Sequence, residues 1–241
     1  MTRAFDTAAK NSIDLFDYIE EDINIKQLKV QPVPVKQIRK AIVTGHYSGV
    51  MPDACQEAFA AITPTGLIAA AVAYGPGGNS ATFNAIIPGT NNTDAREMIR
   101  VWCHPNAPTN TASFVISKTM RMLPTEVRLI VTFADTGQQH QGTIYQALNF
   151  IYLGQSTTGI RYVDNTGIEV TARLANVYRM RNPERFGHMT LKQIREELGW
   201  QPVISHSKHR YAIGVGKQRH QINQQLSLLS QPYPKRNHQP C

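Results

Sequence analysis

Four polar side chains in this chain of 241 residues have types and settings that could do chemistry: His46, Tyr47, Asp135 and Tyr145. His46 and Tyr47 stand between Gly45 and Gly49, so a turn presents them instead of a packed strand. Asp135 closes the apolar run Val127–Phe133 at the C-terminal end of a predicted strand, where open α/β sheets place their ligands. There it can serve as general base or ligand, or cap the next turn. Histidine, tyrosine and aspartate make a nitrogen and oxygen donor set that suits iron better than zinc or manganese. Without a metal, His46 and Tyr47 could still hold a planar ring by stacking and hydrogen bonding.

The elements that position these residues can be read from periodicity. Residues 133–154 read as strand end, polar loop with His140, short helix with Tyr145, and the return strand Asn149–Gly154. Upstream, apolar positions 13, 16, 19 and 23 predict an amphipathic helix over 12–23 with Ser12 as its N-cap. Residues 28–35 contain Pro32 and Pro34 and fit an edge strand. A helix over 35–43 then delivers the chain to His46. The runs 57–62 and 67–74 flank Thr63-Pro-Thr-Gly66 and predict a β-hairpin. From Gly75 to Asp94 the composition is that of a loop.

A buried strand is expected over 95–102, and a helix over 112–123 stopped by Pro124. A hairpin turning at Asp164–Gly167, a basic helix over 172–181, a helix over 190–198 and a strand over 211–215 complete the order. The tail beyond Lys217 is expected to pack poorly. The whole is a mixed α/β sheet flanked by helices, with borders at 1–34, 35–200 and a basic C-terminal extension at 201–241.

Further candidates are weaker. Arg100 lies between Ile99 and Val101 in an apolar strand and needs an anionic partner, within the protein or on a ligand. Thr111 and Ser113 open a helix and could contact a phosphate or carboxyl, or simply cap it. His140 reads as structural or functional alike. Cys103 and His104 are adjacent, so on a strand they face opposite ways and do not form a nucleophile–base pair.

Bulk properties narrow the partners. No apolar run approaches the roughly 20 residues of a membrane helix, and three cysteines without paired spacing suit a reducing cytosol. The formal net charge is +8, and no Asp or Glu occurs from Gln201 onward. One-sided basic charge is the footprint of a polyanion. Arg173, Arg179, Arg181, Lys208, Arg210 and Lys217 are the candidate contacts to a nucleic-acid backbone, and Tyr47, Tyr74 and Trp102 are candidates to stack on a base.

The order of elements, ending in Tyr-x-x-x-Asn-Phe-x-Tyr-x-Gly, resembles the GCN5-related N-acetyltransferase superfamily. Within it, His46-Tyr-Ser-Gly49, the Arg100-Val-Trp strand, Asp135, the block His140–Gly154 and Pro232-Tyr-Pro-Lys235 resemble the Mom family of bacteriophage DNA-modification proteins over residues 35–235. The resemblance implies a phage enzyme, working in the host cytoplasm, that converts adenine in double-stranded DNA to N6-carbamoylmethyladenine and so protects it from host restriction. It implies Tyr145 as general acid, His46, Tyr47 and Asp135 as iron ligands, and an adenine flipped out of the duplex. The alternative is a coenzyme A-dependent N-acyltransferase acting on a small-molecule or protein amine. The turn His104–Ser113 departs from the acetyltransferase pattern, having no glycine and two prolines where backbone amides would hold a pyrophosphate. Two donors therefore stay open, acetyl-coenzyme A and an aminoacyl-tRNA, as does a homodimer.

Overall fold

The computed structural model describes residues 23–77, 80–170 and 172–235, and at Ser80, Glu169, Ala172 and Arg173 the backbone only. The expected helix over 12–23 and its Ser12 cap lie outside the described residues, apart from Ile23.

Contacts divide the chain into two compact units, the first formed by 1–134, 141–154 and 210–241, the second by 135–140 and 155–209. The first is built on a seven-stranded sheet in the order β1-β2-β3-β4-β5-β10-β6. Its strands are β1 (Lys29–Pro32), β2 (Glu57–Ile62), β3 (Ile68–Gly75), β4 (Ala95–Cys103), β5 (Leu129–Asp135), β6 (Ile151–Gln155) and β10 (Lys208–Gly214). β1 to β4 pair antiparallel in succession, and β4 pairs with β5 in parallel. Helices α1 (Val35–Gly45), α2 (Ser80–Ile86), α3 (Thr111–Met120), α4 (Thr143–Ala147) and α8 (Arg219–Ser227) accompany it. This is the mixed α/β class expected from the sequence.

Period-two alternation sorts the core onto both faces of the central strands. Ile130, Tyr211 and Ile213 join Val115 and Ile116 of α3 in one cluster. Their neighbours Leu129, Val131 and Ala212 join Phe83 of α2 with Ile222 and Leu226 of α8 in another. A third cluster seats Ile38 and Ile42 of α1 on the alanines of β2 and β3. Small side chains there let the helix approach closely, and at Gly45 a Cβ would overlap the Trp102 indole.

The second unit holds a three-stranded antiparallel sheet in the order β8-β7-β9, with β7 (Ile160–Val163), β8 (Glu169–Val170) and β9 (Gln201–Ile204). Helices α5 (Ala172–Arg181), α6 (Pro183–Phe186) and α7 (Leu191–Glu197) pack with it around Ala175, Phe186, Ile194 and Trp200. Thr190 caps α7 with a reciprocal capping box, its hydroxyl accepting from Gln193 N–H.

Two expectations are corrected. The stretch 75–94 is not all loop, because α2 folds there with Phe83 and Ile86 buried. The described part of the tail beyond Lys217, as far as Lys235, does not pack loosely. α8 buries Ile222 and Leu226, the Gln231 amide donates to the Tyr152 carbonyl (2.9 Å), and the Tyr233 hydroxyl donates to the Phe150 carbonyl (2.8 Å).

Candidate active site

The sheet of the first unit parts at one place. β4 and β5 are paired over Ala95–Glu97 with Leu129–Val131, and β4 then runs on beside β3 to Cys103. At the parting the Thr132 hydroxyl donates to the Met98 carbonyl at 3.2 Å. Diverging parallel strands leave a crevice that adjacent loops and helices can line.

Tyr145 of α4 faces this place. Its phenol is hydrogen-bonded to Thr132 and lies close enough to Tyr47 and Glu97 for their charges to act on it. Burial raises its pKa above the ordinary tyrosine value of 10.0, and Tyr47 and Glu97 raise it further, against a lowering by the Thr132 bond. The ring is held by Phe150 and Tyr211, with centroids at 5.6 and 5.4 Å. Tyr145 thus lies within electrostatic reach of Tyr47, which the sequence singled out, and of Glu97, which it did not, although the Glu97 carboxylate itself lies toward Gly77 and Phe83. An acidic residue inside an apolar strand was the available signal for Glu97, obscured by the arginines at 96 and 100 on the same strand.

The turn after α1 is organised by a short polar chain. Ser48 N–H donates to His46 Nδ1 (3.2 Å), whose ring nitrogen also meets Ser48 Oγ at 2.9 Å. Because a backbone amide can only donate, Nδ1 is an acceptor and the proton of the neutral ring sits on Nε2. Arg100 Nε donates to the Val50 carbonyl at 2.8 Å and its Nη1 to the Ile99 carbonyl at 2.6 Å. Arg100 therefore braces the end of this turn through carbonyl partners. Tyr47 is 51% exposed, stacked obliquely on His46 with ring centroids 4.3 Å apart.

Asp135 belongs to the second unit. Its Oδ1 accepts Gly137 N–H at 2.9 Å, capping the 3-10 turn Thr136–Gln138. His206 packs over Gly137, where an added Cβ would lie 3.0 Å from its Cγ and 3.2 Å from Asp135 Oδ1. The His140 amide donates to the Asp135 carbonyl at 3.0 Å. Thr111 is fully buried with its hydroxyl unpartnered, and the Ser113 hydroxyl donates back to the Asn110 carbonyl at 2.9 Å.

His46 and Tyr47 supply one nitrogen and one oxygen donor suited to iron, but Nδ1 is committed to Ser48. Among the described residues no group of three or more His, Cys, Asp or Glu gathers for a metal. The iron-ligand role of His46, Tyr47 and Asp135 stays what the resemblance implies, and no step below runs through a metal.

Of the stacking candidates, Tyr74 is excluded. It is fully buried and its hydroxyl bonds Thr119 at 2.8 Å. Trp102 packs with the α1 cluster, which leaves Tyr47 as the exposed ring.

Among the basic candidates, Arg181, Lys208 and Lys217 are exposed. Arg179 Nη2 donates to Asn176 Oδ1 (2.9 Å), and Arg210 Nη2 to the Leu153 carbonyl (3.2 Å). The Arg173 side chain lies outside what is described.

Cys55 and Cys103 take no part. Burial is the main cause that pushes the Cys55 and Cys103 thiols from 9.0 up to about 11. A rise of that size leaves about a hundredfold less thiolate at neutral pH. Iodoacetamide should therefore label these two about a hundredfold more slowly in the folded protein than in urea, as read by peptide mass spectrometry.

Comparison with known proteins decides the family. The profile of the Mom protein family matches residues 27–235. The chain belongs to the Mom family. It is 26% identical over 214 residues to the methylcarbamoylase Mom of Escherichia phage Mu, covering 87% of this chain and 85% of that one. Solved structures similar to this Mom-family protein include the spermidine/spermine N-acetyltransferase of Vibrio cholerae (10% identity, TM-score 0.45, 83% and 98% of the two chains). Another is the histone acetyltransferase HPA2 and related acetyltransferase of Corynebacterium glutamicum (14% identity, TM-score 0.38, 54% and 88%).

Proposed function

We propose that this protein is a transferase that places a carbamoylmethyl group on the exocyclic amine of adenine in double-stranded phage DNA, shielding the DNA from host restriction in the cytoplasm. The reading is supported by the family match across residues 27–235 and by the phage Mu relative, which is named a methylcarbamoylase. The observation that carries the chemistry is the enclosed phenol of Tyr145 beside Glu97, Thr132 and Tyr47.

The adenine amine is a poor nucleophile because its lone pair is delocalised into the ring. As its bond to carbon forms it must lose one proton, and the group leaving the donor must gain one. In this reading Glu97 takes the first, and Tyr145, kept protonated by its surroundings, gives the second. Tyr47 offers the exposed ring on which a flipped base could stack.

The test is direct. The protein is expressed in bacteria, plasmid DNA is digested to nucleosides, and deoxyadenosine is sought with the added mass of one carbamoylmethyl substituent. Modified deoxyadenosine with the wild type, and a drop of about a hundredfold with Glu97→Gln, is the expected result. Unmodified adenine from cells making soluble wild-type protein overturns the reading. Coenzyme A-dependent acylation of a small amine by that same protein would replace it with the alternative.

A further inference from the structure

Two isoleucines of the second unit stand in solvent without an evident structural task. Ile160 is 66% exposed and Ile204 is 79% exposed. They are direct cross-strand partners on the antiparallel pair β7–β9, so their side chains leave the same face side by side as one apolar ridge.

The ridge sits on a tied support. Immediately beyond it, Ser205 N–H donates to the Gly159 carbonyl (2.8 Å), the Gly159 amide donates to Ser205 Oγ (2.9 Å), and that hydroxyl donates back to the same carbonyl (3.0 Å). Three bonds between two residues hold the strand ends together. A protruding side chain must be braced in this way if it is to push against something.

Charge says what that something is. Within the second unit, the segments that carry the ridge and its tied end, 155–163 and 198–209, contain no Asp or Glu, while Arg161 and Lys208 lie within them. An apolar ridge on segments that carry positive charge and no carboxylate side chain suits a partner with an apolar interior and an anionic exterior, which describes a DNA duplex. A protein partner is the weaker match, since two aliphatic side chains supply a small part of the roughly 800 Å² per side that a stable protein interface buries.

We propose that Ile160 and Ile204 form a wedge that enters the base stack of bound duplex DNA and lowers the cost of unstacking it. Apolar side chains inserted between base steps act in this way in other DNA-bending proteins, and an enzyme that reaches a base inside a duplex must have the stack opened. The inference rests on the proposed action on DNA, and its test separates the two.

Full-length protein is mixed with a short duplex carrying 2-aminopurine in place of one adenine. Fluorescence intensity reports unstacking and anisotropy reports binding. Wild type should bind with a rise in intensity. The Ile160→Ser/Ile204→Ser protein should bind within about threefold of wild type, because backbone contacts supply most of the affinity, and its intensity rise should fall about tenfold. Ile160→Leu/Ile204→Leu should restore the rise, which a merely structural role for isoleucine at either site does not predict if the serine variant is already folded by circular dichroism. An undiminished rise in the serine variant overturns the wedge. So does wild-type binding without any rise, or a change from dimer to monomer in the serine variant on size exclusion, which makes the ridge a contact between two copies. Wild type that fails to bind duplex DNA at all overturns the function itself.

Discussion

Replacing Tyr145 with phenylalanine is expected to lower the modified deoxyadenosine by about two to four orders of magnitude, the usual worth of a positioned general acid. The fold should survive. The ring contacts with Phe150 and Tyr211 depend on the carbons, which phenylalanine keeps, and Thr132 retains its bond to the Met98 carbonyl. Thermal unfolding of the variant should therefore stay within about 1 kcal/mol of wild type, the scale of one lost hydrogen bond. The pH profile carries a second signature. Tyr145 is raised above 10.0 in the folded protein, so its acid form persists at every pH below that value. The alkaline limb that it controls should lie above the ordinary tyrosine range, and it should disappear in the phenylalanine variant. A profile that falls near neutral pH and does so identically in both proteins would remove Tyr145 from the proton path.

The largest loss of stability is expected from Glu57→Ala. Arg96 Nε meets both Glu57 carboxylate oxygens at 3.0 and 2.9 Å, and the two side chains are 8% and 17% exposed. Arg96 Nη1 is further tied to the Asn92 and Ala95 carbonyls. Removing the carboxylate strands a guanidinium charge where water cannot compensate it, a change worth about 3–5 kcal/mol. For a chain of this size that is on the order of 10 °C in Tm. The double variant Glu57→Leu/Arg96→Met should regain most of the loss, since it removes both charges and keeps the volume. Scanning calorimetry of the three proteins checks this, and equal loss in the single and double variants would assign the cost to packing instead. Arg96 and Glu97 are neighbours on β4, so the pair also fixes the strand that carries Glu97.

Much of the fold was legible because local and global preferences agree. The hairpin β2–β3 follows from two apolar runs around a turn whose Gly66 takes φ +97°. α7 follows from Thr190 and Gln193 in capping-box spacing, and Gly199 closes its end at φ +69°. α2 and α8 escaped for one shared reason. Each is short and rich in polar or small residues, and holds its place through two or three apolar side chains, Phe83 and Ile86 in one and Ile222 and Leu226 in the other. Tertiary packing, not helix propensity, makes them helices. β9 was missed because Pro202 demotes the run Gln201–Ile204 as a strand, yet β9 is an edge, where proline is tolerated.

The site was legible in part. Tyr47 lies close enough to Tyr145 to act on its phenol electrostatically, as residues 98 apart in sequence can when a parallel crossover returns the chain to the same end of a sheet. Glu97 was hidden because alternation along β4 does not say which polar side chain faces a crevice. Tyr74 was misjudged because tyrosine has both an apolar body and a polar tip, and burial beside Thr119 satisfies both.

The bonds from Gln231 and Tyr233 to the backbone of β6 and its approach have one more meaning. β6 is an edge strand of the seven-stranded sheet, and a bare rim of carbonyls and amides invites a neighbouring molecule to add itself on. The chain after α8 lies along that rim and guards it, so the terminal stretch protects the protein's solubility as well as carrying charge. A shortened version ending before Gln231 would keep the crevice between β4 and β5 and lose its defence against clumping.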